Sequence, residues 1–200
     1  PETAAGNKYA LVVTDWFTKW VDIYGMPDMT AATVALTLWR EFFSRYGMPR
    51  ELHSDQGKQF EAFLFADLCS LFGINKTRTT PFRPQSDGQS ERNIKTLIKM
   101  VAMNCEKQTD WDLNLNILSM AYRATPHEAT QITPNFMMLF REIDLPVDVM
   151  LGPSPQQPYS QLEYVKKMQA RYLYCFDLAR KNLKRAAERN KTLYDRKSTT

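Results

Sequence analysis

Two runs rich in β-branched and aromatic residues, YALVVTD (9–15) and WVDIYGM (20–26), are followed at once by a stretch whose apolar residues recur at helical spacing. This change of period, from two to about 3.6 within the first fifty residues, confines the chain to folds that mix strands and helices. The first two runs, joined by a short WFTK connection, predict a hairpin. Thr30 can cap a helix running to about Tyr46, with Val34, Ala35, Leu38, Trp39, Phe42 and Phe43 on one stripe and Gly47 as its stop. ELHSD (51–55) reads as a short strand ending in an acid. Phe60, Phe63, Leu64, Leu68, Leu71 and Phe72 then repeat at helical spacing up to Gly73, and INKTRTT (74–80) reads as another strand. The alternation is α/β.

Further along, PFRPQSDG (81–88) carries two prolines and a glycine and predicts a loop. A long helix follows, capped by Ser86 or Asp87, with Ile94, Leu97, Ile98, Val101 and Cys105 as its apolar stripe. Helical patterns continue over 111–124 and 135–140, and the Pro-rich stretch LPVDVMLGPSPQQP (145–158) reads as a linker. The last element is one long helix, about 161–196. Its seam of positions three and four apart includes Leu162, Val165, Tyr172, Phe176, Ala179, Leu183, Ala186 and Leu193, with Gln169 and Asn190 as interruptions. Such a seam implies a helix partner or a bundle. The domain reading is therefore a core over 1–152, a linker over 153–160 and a basic helical segment over 161–200.

Charge separates the same regions. The net charge is +4, but residues 161–200 hold 11 Lys and Arg against 4 Asp and Glu, so the basic character sits in the tail. No apolar run approaches the roughly 20 residues of a membrane span, and PETAAGNKYA resembles neither a signal peptide nor a presequence. A soluble, intracellular protein is the expectation. Cys69, Cys105 and Cys175 are odd in number and far apart, and His53 and His127 are the only imidazoles, which argues against a disulfide framework or a zinc module. The chain starts at Pro1, as expected of a processed product or a piece of a longer polypeptide.

Two acids stand out by context: Asp55 at the end of its short strand in HSDQGKQF, and Glu91 in the first turn of the helix that opens in PQSDGQSERN. Carboxylates from a strand end and a helix can converge on divalent ions, because Mg²⁺ takes a few oxygen ligands and keeps positions open for phosphate. Two such ions can serve phosphodiester chemistry.

HSDQGKQF, TTPFRPQSDGQSERNIKTL and AYRATPHEATQITPNFMMLFREIDLPVD, in this order and spacing, resemble the integrase catalytic core of gypsy-type LTR retrotransposons, from about Asn7 to Gly152. The resemblance implies an RNase H-like mixed sheet flanked by helices, and a site of three carboxylates on two Mg²⁺ or Mn²⁺ ions. By position Asp55 matches the second acid and Glu91 the third. It further implies DNA integration, with element ends and target DNA as partners, a homo-oligomer, and the nucleus as site of action. Lys95 and Lys99, one and two turns after Glu91, would face DNA phosphates, and Arg83, Gln85 and Ser86 in the loop would touch DNA.

The family's first acid lies on a strand ahead of the one that LVVTDWFTKW matches. On that count the first strand and its aspartate ended upstream of Pro1, PETAAGNK is the turn between strands one and two, and Asp15 is a strand-end or turn acid rather than a ligand. The rival reading is a catalytically inactive, truncated or co-opted module that binds DNA or protein; an RNase H-like nuclease would share the site but not the TPHEATQITPNFMMLFRE match. Each residue also has a plainer role. Asp55 can cap the next turn, Glu91 can favour a helix N-terminus, and Glu91 with Lys95 can form an i, i+4 pair. His53 reads as a strand residue near the site, His127 as part of a turn, and Trp16, Trp20 and Trp39 as core or interface. The basic face of the last helix can meet DNA phosphates or simply be solvated.

Overall fold

The computed structural model describes residues 1–78, 99–103, 109–152 and 161–198. Among these residues, four strands and a series of helices follow the alternation expected from the sequence. β1 (Tyr9–Thr14) and β2 (Val21–Met26) form the hairpin, bracketed by Lys8 N–H to Met26 O and Asp15 N–H to Trp20 O, each 2.9 Å. β3 (Glu51–Ser54) and β4 (Asn75–Arg78) form a separate, parallel pair in which His53 stands opposite Thr77. The parallel pairing requires a crossover, supplied by α3 (Lys58–Glu61) and α4 (Phe63–Leu71).

Between β2 and β3 in the chain runs one helical rod: α1 (Ala31–Thr37), a π-helical segment (Leu38–Phe43) and α2 (Ser44–Tyr46). Thr30 caps it by accepting from Thr33 N–H, and Gly47, at φ 84°, ends it where a side chain would be strained. Val34, Ala35, Leu38, Phe42 and Phe43 are buried as the stripe predicts, whereas Trp39 is 42% exposed and stacks on Phe72 at 5.1 Å. The wider π turn displaces that position from the 3.6-residue stripe. The run expected from Phe60 to Gly73 is broken at Ala62, whose extended backbone starts α4, and at the break Glu61 reaches Lys76 Nζ at 3.0 Å and Arg78 Nη1 at 3.3 Å. Glu61 is thereby held below the usual carboxylate range, Lys76 being the main cause.

The chain divides into two compact units, one of residues 1–13 and 22–118, the other of 14–21 and 119–200. In the first, PETAAGNK does form a turn, Gly6 N–H donating to Thr3 O, and Thr3 and Asn7 both donate to Asp112 Oδ2 at 2.7 Å.

The second unit is built around the segment after α5 (Leu115–Ala124). Thr133 caps α6 (Pro134–Leu139) by accepting from Phe136 N–H, and Pro134, Asn135, Phe136 and Met137 are all buried. Within the stretch read as linker lies a further helix, α7 (Pro146–Leu151). Its proline sits at the first helical position, where a missing N–H costs nothing, and Asp148 reaches back to accept from Leu145 N–H. The long helix α8 (Gln161–Ser198) packs the middle of its seam on its own chain. Tyr172 and Phe176 meet Phe140 at 4.4 and 6.0 Å, Phe176 meets Phe17 at 5.1 Å, Ala179 is fully buried, and Asn182 donates to Thr130 O. Part of the partner that the seam demanded is thus intramolecular.

Candidate active site

Asp55 follows directly on the last residue of β3 and is exposed, at the carboxyl end of a parallel pair, where α/β folds place ligands. Its Oδ1 accepts from Gly57 N–H at 2.9 Å. A Cβ on Gly57 would stand 2.9 Å from that same oxygen and 2.5 Å from Gln59 Nε2, so the glycine in HSDQG leaves room for both side chains beside the backbone. Asp55 does cap the next turn, and its exposure leaves it open to a ligand as well.

Behind Asp55 on the strand, His53 Nδ1 lies 3.0 Å from Thr77 Oγ1, and Thr77 Oγ1 donates to Glu51 Oε1 at 3.0 Å. Positions 51 and 53 share parity along β3, so they fall on one face, and Asp55 follows just beyond the strand's end. His53 is expected near the site from the sequence, whereas Glu51 and Thr77 join it only in the structure. Parity along ELHSD and the parallel pairing with INKTR were the signals available for them.

Asp15 sits in the tip of the hairpin, where its Oδ1 accepts from Thr18 N–H at 2.7 Å and from Thr18 Oγ1 at 2.6 Å. These bonds close an Asx-type turn, so the geometry gives Asp15 the part of a turn acid.

Of the other residues expected at the site, Lys99 is exposed at the start of the helical residues 99–103. Glu91, Lys95, Arg83, Gln85 and Ser86 lie outside the described residues. Among the described residues no group of three or more His, Cys, Asp or Glu could hold a metal ion. The donor that is described fits a hard cation: a carboxylate at an exposed strand end suits Mg²⁺ or Mn²⁺. Among the described residues no helix is long and apolar enough to cross a membrane.

Elsewhere in the first unit, α1 and α4 line an open groove of about 740 Å³ with Ala32, Leu36, Trp39, Leu64, Leu68 and Leu71. Leu36, Leu64 and Leu71 are 47%, 52% and 80% exposed.

A parallel strand pair with an acid at its carboxyl end, beside a hairpin and a helical rod, defines an α/β domain of the kind found in integrase cores. Residues 2–84 match the family described as "Integrase core domain". The chain is 40% identical over 125 residues to the Gag-Pol polyprotein of Feline leukemia virus, covering 60% of the chain and 7% of that protein. It is 32% identical over 139 residues to Gypsy retrotransposon integrase-like protein 1 of Bos taurus, covering 69% and 28% respectively. With the Pol polyprotein of transposon 412 from Drosophila melanogaster it shares 26% identity over 98% of its length and 16% of that protein's. The chain thus spans less than a third of each of these relatives. Among solved structures, the catalytic core domain of BIV integrase superposes with a TM-score of 0.55 at 28% identity, over 66% of this chain and 85% of that one. A simian T-cell lymphotropic virus intasome in complex with PP2A regulatory subunit B56 gamma matches in fold, with a TM-score of 0.54 at 22% identity over 76% and 52%. The chain belongs with the retroviral-type integrase catalytic cores, and its fold is RNase H-like.

Proposed function

We propose that this chain is the core of a retrotransposon integrase of the gypsy type, which in the intact parent serves DNA integration by metal-dependent 3′-end processing and strand transfer in the nucleus. The observation that carries the reading is Asp55, an exposed carboxylate at the carboxyl end of a parallel strand pair with one oxygen steadied by Gly57 N–H. Asp55 and Glu91 would hold the ions. Bound Mg²⁺ or Mn²⁺ supplies nucleophile activation and charge stabilisation for phosphodiester chemistry. Lys95, Lys99, Arg83, Gln85 and Ser86 would position DNA through its phosphates.

The test is strand transfer by the intact parent protein on a short DNA duplex with Mn²⁺. Joined products should disappear with chelator, in Asp55→Asn and in Glu91→Gln, and persist in Asp15→Asn. Activity that survives Asp55→Asn but is lost in Asp15→Asn overturns the assignment.

A second reading, a catalytically inactive module that binds DNA or protein, draws on Asp15, whose Oδ1 is taken up by the two Thr18 donors. It is supported if the intact parent binds duplex DNA yet yields no joined product under any metal. Self-association, which the family resemblance implies, would use the apolar groove between α1 and α4 as its face for a second copy. Leu64→Glu should shift the chain toward monomer in sedimentation velocity; an unchanged distribution would remove this face from the assembly.

A further inference from the structure

A hydroxyl has one proton to give. Thr77 Oγ1 gives its proton to Glu51 Oε1, a carboxylate that can only accept, at 3.0 Å. Toward His53, 3.0 Å away on the other side, Thr77 Oγ1 is therefore the acceptor, and the neutral imidazole must carry its proton on Nδ1. That leaves Nε2 as a lone pair. The pairing is built into the sheet, since His53 and Thr77 are direct partners in the parallel register of β3 and β4, and Glu51 precedes His53 by two on the same face.

We propose that Glu51 and Thr77 fix the tautomer of His53, so that its Nε2 is presented as a hydrogen-bond acceptor on the strand face that leads to Asp55, where it takes a hydrogen bond from a water ordered at the cation site. Glu51 and Thr77 are positioning residues, acting through His53. The proposal deepens the integrase reading, on which its cation rests.

His127 supplies an internal reference. Its Nδ1 accepts from Ala129 N–H at 3.0 Å and burial holds the ring neutral down to about pH 4, so its proton belongs on Nε2. These two histidines are the only ones in the chain, and they should have opposite tautomers.

The test is a long-range ¹H–¹⁵N correlation spectrum of the ¹⁵N-labelled 200-residue chain, at a pH where both rings are neutral. His53 should show the Nδ1–H pattern and His127 the Nε2–H pattern. Glu51→Gln lets the amide donate to Thr77 Oγ1, turns the hydroxyl proton toward Nδ1, and should shift the His53 tautomer ratio toward Nε2–H by roughly fivefold, the size expected for one net hydrogen bond. Thr77→Val, which keeps a β-branched residue in the strand, should shift it the same way. Mn²⁺ should broaden the ring signals of His53 well before those of His127, and Asp55→Asn should remove that difference.

An Nε2–H or averaged pattern for His53 in the parent chain overturns the proposal. So does an Nδ1–H pattern without selective broadening by Mn²⁺, because Nε2 then faces no cation site. Should tautomer and broadening both appear while strand transfer fails, this proposal stands and the catalytic reading falls.

Discussion

Lys19 lies in the hairpin tip with φ 63° and is only 1% exposed, its Nζ standing 4.2 Å from the centroid of the Trp16 ring. Burial pushes its ammonium down to about 8 from 10.5, with Asp15 pulling the other way, and burial followed by the Lys19 charge pushes His127 down to about 4 from 6.5. Both are bases with folded values below their unfolded ones. Between pH 4 and 6.5, and again between pH 8 and 10.5, the unfolded chain therefore binds more protons, and stability rises with pH in each window. Urea unfolding should show two rises on the order of 1 kcal/mol each. His127→Gln should flatten the acidic rise and Lys19→Met the alkaline one; a profile with the same slope in both variants would contradict this account. WFTKW gave no sign of a buried lysine, because only the fold tells a solvated loop cation from one trapped beneath an indole. Asp55, by contrast, was legible from HSDQG. Its glycine makes a sharp claim: in Gly57→Ala a methyl crowds Asp55 Oδ1 as well as the Gln59 amide, so the carboxylate loses its fixed orientation and Mn²⁺ affinity should fall about tenfold, as for loss of a group that orients a ligand, while titration of Gly47→Ala shows no such loss.

Apolar periodicity located most of the elements. It also identified which face of the rod over 31–46 is buried, because Val34, Leu38 and Phe43 must leave water whatever covers them. What it did not reveal was whether a partner is present: Phe63 and Leu71 keep the helical spacing yet are 89% and 80% exposed. The Pro-rich stretch misled for a different reason. Its prolines suggest a linker, but Pro146 opens α7 from its first position, with Asp148 completing the start. The same arrangement recurs at α6, where Pro134 follows Thr133, whose hydroxyl accepts from Phe136 N–H and donates to Glu142 Oε2 at 2.7 Å. Thr133→Ala removes the cap and should cost about 1–2 kcal/mol in chemical denaturation, most of it recovered in Thr133→Ser. Equal losses in both variants would assign the effect to packing of the Thr133 methyl instead.

For the whole molecule, the basic tail acquires a division of labour that charge counting alone did not show. On α8, Arg171 stacks on Phe136 at 4.5 Å and Arg180 lies over Phe17 at 5.9 Å, so two of its guanidiniums are turned onto the aromatic residues of their own unit. Lys181 is paired with Asp177 at 2.6 Å. Lys184, Arg185 and Lys191 are exposed, on the side away from fully buried Ala179. If this face tracks a duplex backbone, each contact releases condensed counterions, and the slope of log K against log salt steepens by about 0.9 per phosphate. Replacing Lys184, Arg185 and Lys191 together with Gln should reduce that slope by up to about 2.7 in anisotropy titrations of a labelled duplex with chelator present, and leave unfolding by urea unchanged. Arg171→Gln and Arg180→Gln should do the reverse: a loss of about 0.5–1 kcal/mol each in stability, with the slope nearly intact. Chelator separates this surface from the cation site, since phosphate contacts on α8 need no metal. A triple variant with the parental slope would mean that DNA is held elsewhere and that this charged face is only solvated.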